Sequence, residues 1–200
     1  MEDKSRISKA IQLIAQLSID RASQVFSKMV KCGAKISLEK VYLTDITKAT
    51  EEIAIEGGEV IGAYIDLVGD APFKFLITFE TNDSLLLTDL ILQRPTGSTK
   101  ELDALTQSAV QEVGNILASA ISNVFSSDFQ IKMKPSPPQV VHDFAATLFE
   151  EYISAIAAES NEILIIESQF MVVRHNLKCA MYILPLKGSD KTLSYICNTI

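Results

Sequence analysis

Basic residues are scarce in this chain: 18 Lys and Arg stand against 25 Asp and Glu, a formal charge of -7 at pH 7. That balance works against the counterion-release binding by which proteins hold nucleic acid or anionic lipid, so a protein or small-molecule partner is expected instead. Glycine and proline are also few, 8 and 6 in 200 residues, while 48% of the residues are hydrophobic. Such a chain buries a core, which excludes disorder and fits one large domain or two small halves sharing a core. Cysteine is limited to Cys32, Cys179 and Cys197, an odd number, widely spaced and without a C-x-x-C pair. They read as reduced thiols of a cytoplasmic protein. The two histidines, His142 and His175, have no Cys, His or carboxylate at ligand spacing, so no metal site and no cofactor of its own is expected. No run reaches the roughly 18 to 20 apolar residues that span a bilayer, so membrane insertion is not expected. The charged, amphipathic amino terminus lacks the apolar core and cleavage site of a secretory leader.

What is there is periodicity. From Lys4 to Val30, Ile7, Ile11, Ile14, Leu17, Val25 and Met29 recur at helical spacing, and Gly33 is a plausible stop. Ala34 to Tyr42 reads as a strand, the weaker stretch Thr44 to Ile55 as a helix-compatible connection, and Val60 to Leu67 with Phe73 to Phe79 as a hairpin around Gly69 and Asp70. A helix capped by Asn82 or Asp83 runs to a break at Pro95 to Ser98. Beyond it come a long helix over Thr99 to Ser126, a short strand over Phe129 to Met133, a stiff turn at Pro135 to Pro138, and a helix over Val140 to Ala158. In that last helix Phe144, Leu148 and Tyr152 form a stripe suited to a core or a partner. Two strands, Ile163 to Val173 and Cys179 to Leu184, and a terminal amphipathic piece, Thr192 to Thr199, complete the chain. The second half repeats the order of the first. The expected architecture is therefore α/β: one domain over residues 1–200, made of two pseudo-repeats of about 1–94 and 99–200, folded on one continuous sheet.

The informative stretch runs from Ser108 to Ala118. At about 100° per residue, Ser108, Glu112 and Asn115 fall within an arc of about 60°. Val110, Val113, Leu117, Ile121 and Val124 lie on the opposite side and should meet the sheet. A carboxylate and an amide are thus presented outward. Gly114 between them costs a helix about 1 kcal/mol relative to Ala, which asks for close approach of a partner or close helix packing. Spacing alone favours an ordinary solvated face as the reading of Glu112 and Asn115.

Ser108, Glu112 and Asn115, followed after twenty-two residues (116 to 137) by Pro138, match all four positions of a signature: Asp or Ser, three residues, Glu, two residues, Asn, 22 residues, Pro. In this motif and in the surrounding EVGNILASAIS the chain resembles the CheC, CheX and FliY phosphatases. The first helix, with Ala22, Ser27 and Met29, is similar to the family's leading helix. There, however, Leu13 and Gln16 stand where Glu and Asn would, and Glu39 stands where the proline would. The resemblance therefore implies a single-site member of a pseudo-twofold CheC-like fold, with two long surface helices on a mixed or antiparallel sheet.

It also implies a function: hydrolysis of the aspartyl phosphate of a CheY-type response regulator. Asn115 would orient the attacking water and Glu112 would dock the regulator's lysine, with Ser108, Gly114 and Pro138 supporting the motif. Mg2+ would come with the regulator, and monomer is the family default. The alternatives are a noncatalytic module that binds a regulator or a CheD-type deamidase, and a flagellar-switch relative whose motif is a remnant. No flagellar-switch carboxy-terminal domain is expected after Ile200.

Overall fold

A computed structural model describes residues 2–31, 33–56, 58–154, 162–172 and 175–186, together with 189, 192, 195 and 196. Helix α1 (Glu2–Val30) leads into strand β1 (Ala34–Asp45), helix α2 (Ile46–Glu56), strands β2 (Glu59–Gly69) and β3 (Phe73–Glu80), and helix α3 (Thr81–Ile91). Helix α4 (Ala104–Asp128), strands β4 (Met133–Pro135) and β5 (Gln139–Phe144), helix α5 (Ala145–Ser154), and strands β6 (Glu162–Val172) and β7 (His175–Pro185) follow. The order helix, strand, helix, strand, strand thus runs twice, with β4 and β5 together standing where β1 stands.

The strands form one seven-stranded sheet in the order β1-β6-β7-β3-β2-β4, with β5 pairing β2 beside β4. Every pairing is antiparallel, so the sheet is antiparallel rather than mixed. Strands from the two halves interleave, because β6 and β7 sit between β1 and β3. Both faces are covered. Phe73, Phe75, Ile77 and Phe79 alternate along β3 into the larger core beneath α1, α3 and α4. Leu76 points the other way, to a smaller core with Ala49 of α2 and Phe149, Tyr152 and Ile153 of α5. This two-sided burial explains why β2 and β3 read as nearly continuous apolar runs. In α1 the buried residues Ile14, Ala15, Ile19, Ala22, Phe26 and Val30 recur every three or four positions, which turns one stripe of the helix to the sheet. Gly69 holds φ +141° at the end of β2, where a Cβ would collide with the Lys132 carbonyl, so the turn there requires glycine.

Four sequence expectations are corrected. The long helix begins at Ala104 instead of Thr99, because Ser98 and Thr99 are held by the Asp89 carboxylate and Asp103 provides the cap. The short strand is Met133–Pro135, not Phe129 to Met133; Gln130 has φ 58° and the Ile131 N–H returns to the Phe125 carbonyl, closing the helix end. Residues Val140 to Phe144 are strand, not helix, since they pair with Val60, Ile61, Gly62, Ala63 and Glu59 of β2. The stripe they were expected to begin is broken: Phe144 is 55% exposed, whereas Leu148 and Tyr152 are buried. Finally, α3 is preceded by Glu80 with no side-chain cap, and Asp83 instead accepts the Lys178 N–H at 2.8 Å. Residues 155–158 of the expected helix and most of the terminal piece 192–199 lie outside the described residues.

Candidate functional site

Asp103 starts α4. Its Oδ1 accepts from Leu105 N at 2.9 Å and Thr106 N at 3.0 Å, and these bonds, the Thr106 one first, hold its carboxyl below the usual carboxylate range. The helix then buries Val110, Val113, Leu117, Ile121 and Val124 against the sheet. Ser108, Glu112 and Asn115 are left exposed in a row along the opposite side, as their spacing predicts. Leu105, one turn earlier on the same row, is 41% exposed. The Ser108 hydroxyl donates to the Ala104 carbonyl at 2.8 Å, folding back onto its own helix.

Gly114 faces the other way. A Cβ there would stand 3.3 Å from Ile65 Cδ1, 3.5 Å from Ala63 Cβ and 3.7 Å from Ile77 Cγ2. Of the two reasons for a glycine at this point, close packing of helix on sheet is the one that applies. It lets α4 lie flat on β2 and β3, and so fixes the height at which its neighbours Glu112 and Asn115 stand above the sheet.

Pro138 is buried beside α4, and its carbonyl accepts a hydrogen bond from Gln111 Nε2 at 3.3 Å. The loop before it is fastened to β2: Ser136 N donates to the Asp66 carbonyl at 2.8 Å, and Ser136 Oγ accepts from Asp66 N at 3.0 Å. Thus the structure brings Ser108, Glu112 and Asn115 onto one face with the proline loop at its flank, and turns Gly114 into the core. Gln111 is a residue that motif spacing does not single out; only its reach to a loop 27 positions away reveals it.

On α1, Leu13 is 38% exposed and Gln16 donates to Asp20 Oδ1 at 2.9 Å. Gln12, Leu13 and Gln16 line a groove of about 470 Å3 against Leu38, Glu39, Lys40 and Val41. Strand β1 continues through this point, shifting register against β6 between Leu38 and Lys40. The Glu and Asn pair of α4 has no counterpart at the matching positions, which Leu13 and Gln16 fill. Among the described residues no group of three or more His, Cys, Asp or Glu gathers as metal ligands, and no helix is long and apolar enough to cross a membrane. Cys179 is buried with its thiol pKa pushed up by burial, and Cys32 and Cys197 lie outside the described residues.

Residues 105–142, the segment that contains the whole motif, match the CheC-like family. The fold is similar to that of FliY from Thermotoga maritima, with a TM-score of 0.77 at 15% identity over 97% of each chain. It is similar to the FliM middle domain of H. pylori, with a TM-score of 0.70 at 11% identity over 96% of this chain and 98% of that one. It also resembles CheX of Borrelia burgdorferi, solved in a complex with CheY, BeF3 and Mg2+, with a TM-score of 0.56 at 14% identity over 86% and 97% of the two chains.

Proposed function

On the premise that the chain is CheC-like in its motif segment and in its fold, we propose that it dephosphorylates the aspartyl phosphate of a CheY-type response regulator. The observation that carries this reading is the exposed row of Ser108, Glu112 and Asn115 on a helix whose other side is locked into the core. An acyl phosphate needs little covalent help from a second protein; it needs a water held in line with phosphorus. The water attacks phosphorus, the bond from phosphorus to the aspartyl oxygen breaks, and the carboxylate leaves as inorganic phosphate forms. Asn115 fits the orienting role, because an amide oxygen accepts from the water while the amide nitrogen donates, with no titration required. Glu112, one turn away, pairs with the lysine of the regulator and sets the depth of insertion. Mg2+ belongs to the regulator's acidic pocket, and there neutralises the charge on the phosphoryl group.

The test is phosphate release from a phosphorylated CheY-type regulator with Mg2+. Wild type accelerates release, and Asn115→Ala removes about 100-fold of that acceleration by letting the water drift from line. Glu112→Ala acts mainly on docking and raises KM. Binding without acceleration would refute the enzymatic reading.

A second reading is a noncatalytic module for a regulator or a CheD-type deamidase. Two observations favour it: α1 carries Leu13 and Gln16 where a second site would stand, and the fold is also similar to that of a FliM middle domain, with a TM-score of 0.70. Presentation of both Glu112 and Asn115 on an accessible face supports catalysis over binding alone.

A further inference from the structure

We propose that Gln111 is a positioning residue for the Glu112 and Asn115 face, holding the proline loop 136–138 against α4 so that it forms a fixed wall beside the docking regulator. The inference rests on the phosphatase reading and deepens it. Of the loop's two ends, the first is secured to β2 through Ser136 and Asp66. The other end is paired to β2 from Gln139, opposite Tyr64, and just before it Gln111 Nε2 donates to the Pro138 carbonyl at 3.3 Å, tying the loop to α4. Prolines 135, 137 and 138 have no N–H to offer, so this stretch of backbone depends on its carbonyls for attachment to the helix. Gln111 itself is exposed, and the helix does not need its side chain. Net of the cost of ordering a long exposed side chain, one neutral hydrogen bond contributes at most about 1 kcal/mol, a small part of the stability of the domain. What it does is set where the loop sits.

The first half of the molecule supplies an internal contrast. Gln12 precedes Leu13 as Gln111 precedes Glu112, but Glu39 occupies the proline position and β1 runs through it. There the helix and strand part to leave the groove of about 470 Å3. Where the motif is intact, a glutamine joins helix to loop; where it is degenerate, a gap lies between them.

The test uses the full chain with Gln111→Leu, Gln111→Glu and Gln111→Arg. It measures kcat and KM for phosphate release, Kd for the BeF3-activated regulator with Mg2+, and Tm. Gln111→Leu should raise KM and Kd about fivefold, the worth of one neutral hydrogen bond. Its kcat should stay within about twofold of wild type and its Tm within about 2 °C. Gln111→Glu, which sets a carboxylate against the Pro138 carbonyl, should do at least as much. Gln111→Arg keeps a donor of sufficient reach and should return both constants to within about twofold of wild type. Unchanged KM and Kd in the Leu and Glu variants, or an equal loss in all three accompanied by a fall in Tm, would overturn the proposal. Should wild type bind the regulator without releasing phosphate, the phosphatase reading falls and Kd alone decides the role of Gln111. Should wild type fail to bind, both fall together.

Discussion

Removing the Asp89 carboxylate should loosen the connection that delivers the chain to the start of α4. Asp89 is fully buried in α3. It accepts from Ser98 N and Thr99 N, each at 2.9 Å, and from the Thr99 hydroxyl at 2.6 Å. Hydrogen bonds to a charged acceptor contribute about 1.5–3 kcal/mol each where water is excluded. Ser98 is exposed, however, so its freed donor can rehydrate and the sum must be discounted. The expected cost of Asp89→Ala is about 3 kcal/mol, and for a domain of this size that lowers Tm by about 6–12 °C. Asp89→Asn keeps the shape but turns an NH2 group on at least one donor, for about 2 kcal/mol.

Urea unfolding followed by circular dichroism measures both, as a shift of midpoint at constant slope. The pH dependence gives a second, independent handle. Burial by itself raises the Asp89 pKa, but the bonds from Thr99 and Ser98 outweigh it and the net direction is downward. On acidification the unfolded chain therefore binds this proton before the folded one does, at about pH 4. The stabilisation is complete above that value and drains away as pH falls through the lower, folded pKa. The stability gap between wild type and Asp89→Asn should accordingly narrow as pH falls below about 4. A cost for Asp89→Ala below about 1 kcal/mol, or a gap that does not change with pH, would refute the reasoning.

Three further outcomes follow from the packing of α4. Gly114→Ala should fall within about 1 kcal/mol of wild type in chemical denaturation, because better helix propensity offsets a 3.3 Å contact with the movable end of Ile65. Gly114→Val overfills the same space and should cost about 2 kcal/mol. Leu105→Asp, on the exposed row with Glu112, should raise KM for the phosphorylated regulator while leaving Tm within about 2 °C of wild type. Arg21 reaches from α1 to Ser127 Oγ at 2.7 Å and Asp128 Oδ2 at 2.8 Å, and both charged side chains are partly exposed. Arg21→Ala should therefore cost no more than about 1 kcal/mol, less in high salt, as measured by thermal unfolding at two ionic strengths.

The helix that presents the candidate site was the most legible part of the sequence, because one buried stripe over seven turns leaves little freedom about which residues face outward. The antiparallel hairpins of β2 with β3 and β6 with β7 were legible for a similar reason, their apolar runs being close in the chain. Strand β5 was not. Val140 to Phe144 has spacing that a helix also satisfies, and what decides its conformation is the open edge of β2, some eighty residues earlier. The start of α4 was misplaced because Thr99 looks like a helix opener until the Asp89 carboxylate, ten positions back, is seen to hold it. Gln111 carries no local signal at all; its partner is a carbonyl, which no side-chain pattern encodes.

The register shift in β1 bears on how a second exposed pair could be built. Installing Leu13→Glu and Gln16→Asn would rebuild the exposed pair on α1 with two codon changes. The backbone would still lack its counterpart to the break between β4 and β5, because Ala34 to Asp45 hydrogen-bonds to β6 along its whole length, interrupted only between Leu38 and Lys40. Glu39 itself lies at that interruption, without a partner on the edge strand of the sheet, so a proline there costs the ladder little and does not by itself open the strand into a loop. What separates the halves is therefore the course of the backbone rather than the identity of three side chains. Substitutions on α1 can copy the side chains of the α4 face, but the flank beside them stays a strand where α4 has a loop.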